Sequence, residues 1–211
     1  MSIIGQSVWV GEVLVGWAPI DTADTSPVQL GPLDTARAAG LPAEKGVRFG
    51  QGRALLHRLL GELKPDLVPH LDATTCPHCG GPHGPVSVTD HPAVVSVSYA
   101  DGLVVAAVAA TSKVAALGLD AERDPVTARI PREATERVPD LVKLIGGPPA
   151  SALRRWTQIE AVLKADGRGL RVPPEQVRLE AEAAQIESDP ASYHLANIAG
   201  PAGYLISLAW R

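Results

Sequence analysis

Two stretches of the chain carry ionisable side chains at spacings that could do chemistry, the first of them suited to a metal ion. The first is Leu117-Gly118-Leu119-Asp120-Ala121-Glu122-Arg123-Asp124, where an apolar segment ends in carboxylates at i and i+2. On a strand both would point to one side of the sheet. Two carboxylates held side by side repel and resist joint ionisation unless a cation sits between them. Hard oxygen ligands with open positions suit Mg²⁺, which leaves room for water and phosphate. The plainer alternative is a solvated strand end before a charged loop. The second stretch is Trp156-Thr157-Gln158-Ile159-Glu160-Ala161-Val162-Leu163-Lys164-Ala165-Asp166-Gly167-Arg168-Gly169-Leu170. Trp156, Ile159 and Leu163 recur at i, i+3, i+7, an apolar helical face. Trp156, Glu160 and Lys164 form an i, i+4 row beside that face. Asp166-Gly167-Arg168-Gly169 supplies the C-terminal stop. A carboxylate and an ammonium thus stand at the border of a buried stripe, although a surface Glu-Lys pair on an amphipathic helix would read the same way.

The elements that must position these groups are legible to different degrees. Residues 8–17 are β-rich and predict a strand or a bent pair of strands. Residues 18–34 read as loop, and residues 35–49 hold a short helix. Residues 51–63 predict an amphipathic helix burying Leu55, Leu56, Leu59, Leu60 and Leu63. Residues 64–92 read as a long irregular connection. Three strands follow, over 93–98, 103–109 and 115–119, with Asp101-Gly102 as the hairpin signal between the first two. They are expected to form the middle of a mixed sheet. Residues 123–150 read as loop and helix, the helix bearing Glu160 and Lys164 covers 151–166, residues 176–182 alternate as a strand, and the chain closes in a hairpin.

Composition sets outer bounds. The chain has 211 residues, enough for one large domain or two small halves with real cores. Its formal net charge of -4 gives no global attraction to nucleic acid, so none is expected as a partner. No apolar run reaches the ~18 residues of a membrane helix, so no membrane span is expected. The opening residues lack a basic region before an apolar stretch, which argues against a secretory signal. A monomeric cytoplasmic protein is the expectation.

Taken together, the two acidic motifs carry a resemblance. Gly118-Leu119-Asp120-Ala121-Glu122 followed by Trp156 through Leu170 resembles the Gly-x-Asp-x-Glu and Trp-x-x-Lys-Glu-Ala-x-x-Lys-x-x-Gly-x-Gly-Leu segments of 4'-phosphopantetheinyl transferases of the surfactin-synthetase-activating type. Weaker matches extend it: Pro42-Ala43-Glu44-Lys45 through Arg48-Phe49, Arg53 in Gly52-Arg53-Ala54-Leu55-Leu56, Ser96-Val97-Ser98-Tyr99, and Gly80-Gly81-Pro82-His83-Gly84-Pro85. The resemblance implies an α+β fold with two similar α/β halves in one chain related by pseudo-twofold symmetry. The N-terminal half, 1–112, would contact the nucleotide, and the C-terminal half, 113–211, would hold the metal and catalytic motifs. It implies transfer of 4'-phosphopantetheine from coenzyme A to a serine of an acyl or peptidyl carrier protein. Mg²⁺ would be held by Asp120, Glu122 and Glu160. Glu160, Lys164 and Asp120 would be the catalytic groups. Lys45, Arg48, Arg53, Ser98, Tyr99 and Lys164 would bind coenzyme A. Apolar residues of the 123–150 region would meet the carrier.

Three positions depart from the family's pattern. Ile159 stands where the family has a lysine, Tyr99 where it has a histidine, and Gly84 runs directly into Pro85 without the loop lysine. Each lost cation would remove a charge-assisted contact of roughly 1–3 kcal/mol. This motivates a second expectation: a transferase fold kept as a carrier-protein or ligand-binding module, or put to other chemistry. Cys76-Pro77-His78-Cys79 with His83 stands apart from these motifs. An ordinary loop, a reversible disulfide and a zinc site all fit it, the last needing a further ligand from His70, His78 or His91.

Overall fold

In the computed structural model, β1 (Gln6–Val10) and β2 (Val13–Pro19) form a hairpin turned at Gly11, whose φ of 57° suits a residue without Cβ. The residues described are 5–21, 23–24, 28–66, 68–124, 137–187 and 189–211. The chain divides into two units, Met1–Ala115 and Ala116–Arg211.

In the first unit, α1 (Pro32–Ala39) and α2 (Ala43–Leu63) precede β3 (Leu71–Ala73), β4 (Val86–Val88), β5 (Ala93–Ala100) and β6 (Leu103–Ala110). The main sheet has the order β1-β2-β6-β5, and β3 pairs with β4 in a two-stranded sheet. Helix α2 buries Leu55, Leu56, Leu59 and Leu60 against Leu14 of β2 and Val104, Ala106 and Val108 of β6. The leucine stripe expected over 51–63 is therefore the core face, but the helix begins at Ala43 and runs unbroken through Gly50. Helix α1 starts where loop was expected. Its N-cap, Gly31, brings no capping side chain; instead Asp72 of β3 accepts from the backbone amides of Leu33, at 3.2 Å, and Asp34, at 2.8 Å. A carboxylate there satisfies otherwise unpaired amides and complements the helix dipole.

In the second unit, β7 (Leu117–Arg123) is followed by α3 (Arg137–Ile145), α4 (Pro149–Asp166), β8 (Val177–Leu179), β9 (Ala183–Ile186), β10 (Ser192–Ile198) and β11 (Tyr204–Trp210). The sheet order is β7-β11-β10-β9-β8. Helix α4 buries Trp156, Ile159, Val162 and Leu163 among Ile186, Tyr193, Leu195 and Ala209. It ends at Gly167, whose φ of 84° and amide bond to the Leu163 carbonyl make the left-handed stop that the sequence predicts.

Among the described residues every strand pairing in the three sheets is antiparallel, with helices packed on sheet faces, so the fold is α+β. This corrects the expected mixed sheet. Strands β5 and β6 do pair, with β2 on the other edge of β6, but β7 is not a strand of that sheet. It pairs instead with β11 over Leu117–Arg123, closed by reciprocal backbone bonds between Ala116 and Arg211. Among the described residues no helix is long and apolar enough to cross a membrane.

Candidate active site

The second unit gathers the acids and the lysine. On β7, residues 118, 120 and 122 share the face covered by α4, as the alternation of a strand requires. Gly118 sets how close the helix comes. A Cβ at that position would overlap the Ala161 carbonyl and the Ala165 amide, so only glycine lets α4 lie directly on the strand. That contact brings the last turns of α4 over Asp120. Lys164 Nζ donates to Asp120 Oδ1 at 2.6 Å and to the Leu119 carbonyl at 3.1 Å. The Asp120 side chain is 4% exposed and that of Lys164 34%, so the ion pair is sealed on the carboxylate side and open on the ammonium side.

Glu160, one turn before Lys164, borders the same pair. Burial pushes its carboxyl from 4.5 up to about 7; the charge of Asp120 adds to this, Lys164 opposes it, and a hydrogen bond with Asp120 and the charge of Glu122 raise it further. Two acids thus stand within hydrogen-bonding reach at one lysine, with Glu122 the weakest of these influences. Among the described residues, the ligand atoms of Asp120, Glu122 and Glu160 are not all within 4.8 Å of one another, a closeness that Cys76, Cys79 and His83 do reach. The donor set itself is all carboxylate oxygen with excess negative charge, which fits a hard divalent cation better than a soft one.

A polar seam holds α4 in place beside this cluster. Thr157 and Ser207 share a hydroxyl bond at 2.8 Å, Thr157 donates to the Arg154 carbonyl, and Gln158 donates to Asn197. Arg154 donates to the Ile206 carbonyl at 2.9 Å, and burial lowers its pKa against the charge of Asp124. Arg155 bonds the carbonyls that end α3, and Arg168 pairs with Asp166. Ile159 is fully inside the core, so that position faces away from the acids.

The first unit holds a separate cationic pocket of ≈ 180 Å³, lined by Arg37, Leu41, Lys45, Arg48, Phe49 and Tyr99. Arg37 lies over the Phe49 ring at 5.1 Å and Arg48 over the Tyr99 ring at 5.8 Å. Tyr99 fits because Gly52 leaves room on α2: a Cβ there would overlap its hydroxyl. The hydroxyl donates to the Phe49 carbonyl at 3.4 Å, and burial pushes its pKa up, so it stays neutral. Lys45, Arg48 and Tyr99 are therefore brought together as expected side chains of one site. Arg37 is a member that sequence reasoning missed. It comes from a different helix, α1, whose position against α2 no local pattern in the sequence gives.

Two expected ligands are placed elsewhere. Arg53 is 1% exposed and grips Asp34, itself 0% exposed, through Nε at 2.5 Å and Nη2 at 2.8 Å. Its guanidinium also lies 4.5 Å from the Phe49 ring centre. This cation is neutralised below the pocket floor, not presented to a ligand. Ser98 is buried on the face of β5 opposite Tyr99, because adjacent strand residues alternate. The stretch 125–136, part of the expected carrier-facing region, lies outside the described residues.

A scan of the chain against protein-family models finds no match, and neither does a search of curated protein sequences.

Proposed function

We propose that this chain is a 4'-phosphopantetheinyl transferase with that family's two-halved fold, moving the phosphopantetheine arm of coenzyme A onto a carrier-protein serine. The observation that carries the proposal is the Lys164–Asp120 pair at 2.6 Å beside Glu160, which joins two motifs far apart in sequence. Two further features support it. The pocket of Arg37, Lys45 and Arg48 suits the 3'-phosphate and nucleotide of coenzyme A. Each unit also lays one long helix, α2 or α4, on an antiparallel sheet.

In this reading Asp120, Glu122 and Glu160 would hold Mg²⁺. The ion supplies neutralisation of the pyrophosphate charge. Glu160, at the border of the Lys164–Asp120 pair, would take the proton of the attacking serine hydroxyl, directly or through water. The serine oxygen bonds to the β-phosphorus, the bond from that phosphorus to the bridging oxygen breaks, and adenosine 3',5'-bisphosphate leaves. Lys164, open to solvent on one side, offsets charge on the transferred phosphate. On α3, Leu144 is 44% exposed and offers an apolar contact for a carrier helix.

Incubation with coenzyme A, Mg²⁺ and several apo carriers tests this: the carrier gains the mass of the arm. Asp120→Ala and Glu160→Ala abolish the gain and leave the fold intact. No transfer to any carrier tried, or a variant with near-full turnover, removes the proposal.

An isoleucine at 159 where the resembled family has a lysine, and the pairing of Arg53 with Asp34, favour a second reading, because both reduce the cations available to a coenzyme A phosphate. The chain would then be a binding module on the same fold. Calorimetry with coenzyme A, with and without Mg²⁺, separates the two: the enzyme binds and responds to the metal, and the module shows no such response.

A further inference from the structure

Cys76, Cys79 and His83 lie on the excursion 74–85 that joins β3 to β4 in the first unit. Neither cysteine is in a disulfide. One ligand atom from each of the three residues falls within 4.8 Å of the others, and Cys79 Sγ is 2.8 Å from His83 Nε2. The backbone builds this arrangement. Thr74 and Gly84 close the neck, with the Thr74 amide donating to the Pro85 carbonyl at 2.8 Å and the Gly84 amide to the Thr74 carbonyl at 2.9 Å. Above the neck, the Cys76 amide donates to the Gly81 carbonyl and the Gly80 amide to the Cys76 carbonyl. Gly80 turns the chain with φ of 73°, and the Gly81 amide then points at Cys79 Sγ, 3.4 Å away. An amide aimed at sulfur stabilises the thiolate, the form that ligates metal. Space is also tight at 81, and glycine is needed at 84. A Cβ at 81 would press on the His83 ring at 3.0 Å, and one at 84 would meet the Thr74 carbonyl at 2.5 Å.

We propose that Cys76, Cys79 and His83 form a zinc site. Two thiolate sulfurs and one imidazole nitrogen are a borderline-soft donor set, which selects Zn²⁺ over the hard cations that carboxylates prefer. Both thiols release their protons to solvent on binding, and neutral His83 binds through Nε2. Cys79 and His83 are exposed, so the fourth tetrahedral position opens to solvent and takes water or an exogenous ligand. Bound metal ties one side of the excursion to the other, above the hairpin that carries Asp72.

The test uses the full-length reduced protein with Co²⁺ as the spectroscopic probe and Zn²⁺ as competitor. Thiolate-to-cobalt charge-transfer absorption appears on Co²⁺ addition and disappears as Zn²⁺ displaces it. Cys79→Ser and His83→Ala each weaken binding by at least ~10-fold, the scale on which even outer-shell changes act. His78→Ala leaves binding unchanged. On the unaltered chain, Zn²⁺ protects both cysteines from alkylation, read by intact mass, which keeps the test valid where a variant fails to fold. Absence of the charge-transfer band, full alkylation in the presence of Zn²⁺, or loss of binding in His78→Ala would overturn the assignment. None of these readouts depends on transferase activity.

Discussion

Glu160 is the side chain whose charge the fold decides most directly. Its folded pKa of about 7 stands above the ordinary 4.5, so folding takes up a proton between those two values. The unfolded chain binds fewer protons there, and the contribution to stability falls as pH rises. With respect to this group, stability is fully present below pH 4.5, declines up to about 7 and is level above. Urea unfolding in chelator between those limits should show this decline, and Glu160→Gln should flatten it; parallel curves for the two proteins would refute the assignment. Arg53 and Asp34 make the opposite kind of pair, with both charges buried and both satisfied by a bidentate contact. Arg53→Ala leaves a buried carboxylate alone and should cost about 3–5 kcal/mol. Asp34→Leu combined with Arg53→Met should recover most of that loss in the same denaturant titration. The sequence could not reveal this pairing. Arg53 reads as an available cation on an amphipathic helix, and its partner lies on another helix.

The contact between α4 and β7 depends on one missing side chain. Gly118→Ala inserts a Cβ into helix backbone that cannot swing aside, and should destabilise by about 1–3 kcal/mol while parting Lys164 from Asp120. Gly61 on α2 has nothing within 4 Å of the same hypothetical atom, so Gly61→Ala should stabilise by about 0.4–1 kcal/mol. Thermal unfolding of the two variants checks both signs. Elements like α4 were legible because their information is local: a repeating apolar face, then Gly167 at the stop. The spacing of Asp120 and Glu122 was legible for the same reason, since a strand places i and i+2 together. The start of helix α1, three residues before the short helix expected within 35–49, was not, because its cap comes from Asp72 in a later strand. Strands β3 and β4 were also missed, being three residues each within a stretch rich in proline, histidine and cysteine.

Across the whole molecule, net charge is -4, yet one pocket concentrates Arg37, Lys45 and Arg48. Attraction of a phosphate to this chain is therefore local and must weaken as salt shortens its range. If the pocket binds coenzyme A, Arg37→Ala should raise KM by roughly 10-fold with kcat unchanged, the signature of uniform binding. Steady-state kinetics at two ionic strengths measures both effects, and an unchanged KM would remove Arg37 from the site. Composition could not show this, because a formal charge summed over the chain hides where the cations meet. The Asp72 bond to α1 reaches further still. A helix of eight residues is marginal alone, and its stabilising carboxylate is encoded after α2. During synthesis α1 must wait, emerging from the ribosome before the residue that fastens its first turn, so the guanidinium of Arg37 takes its final position only after the following hairpin has been made.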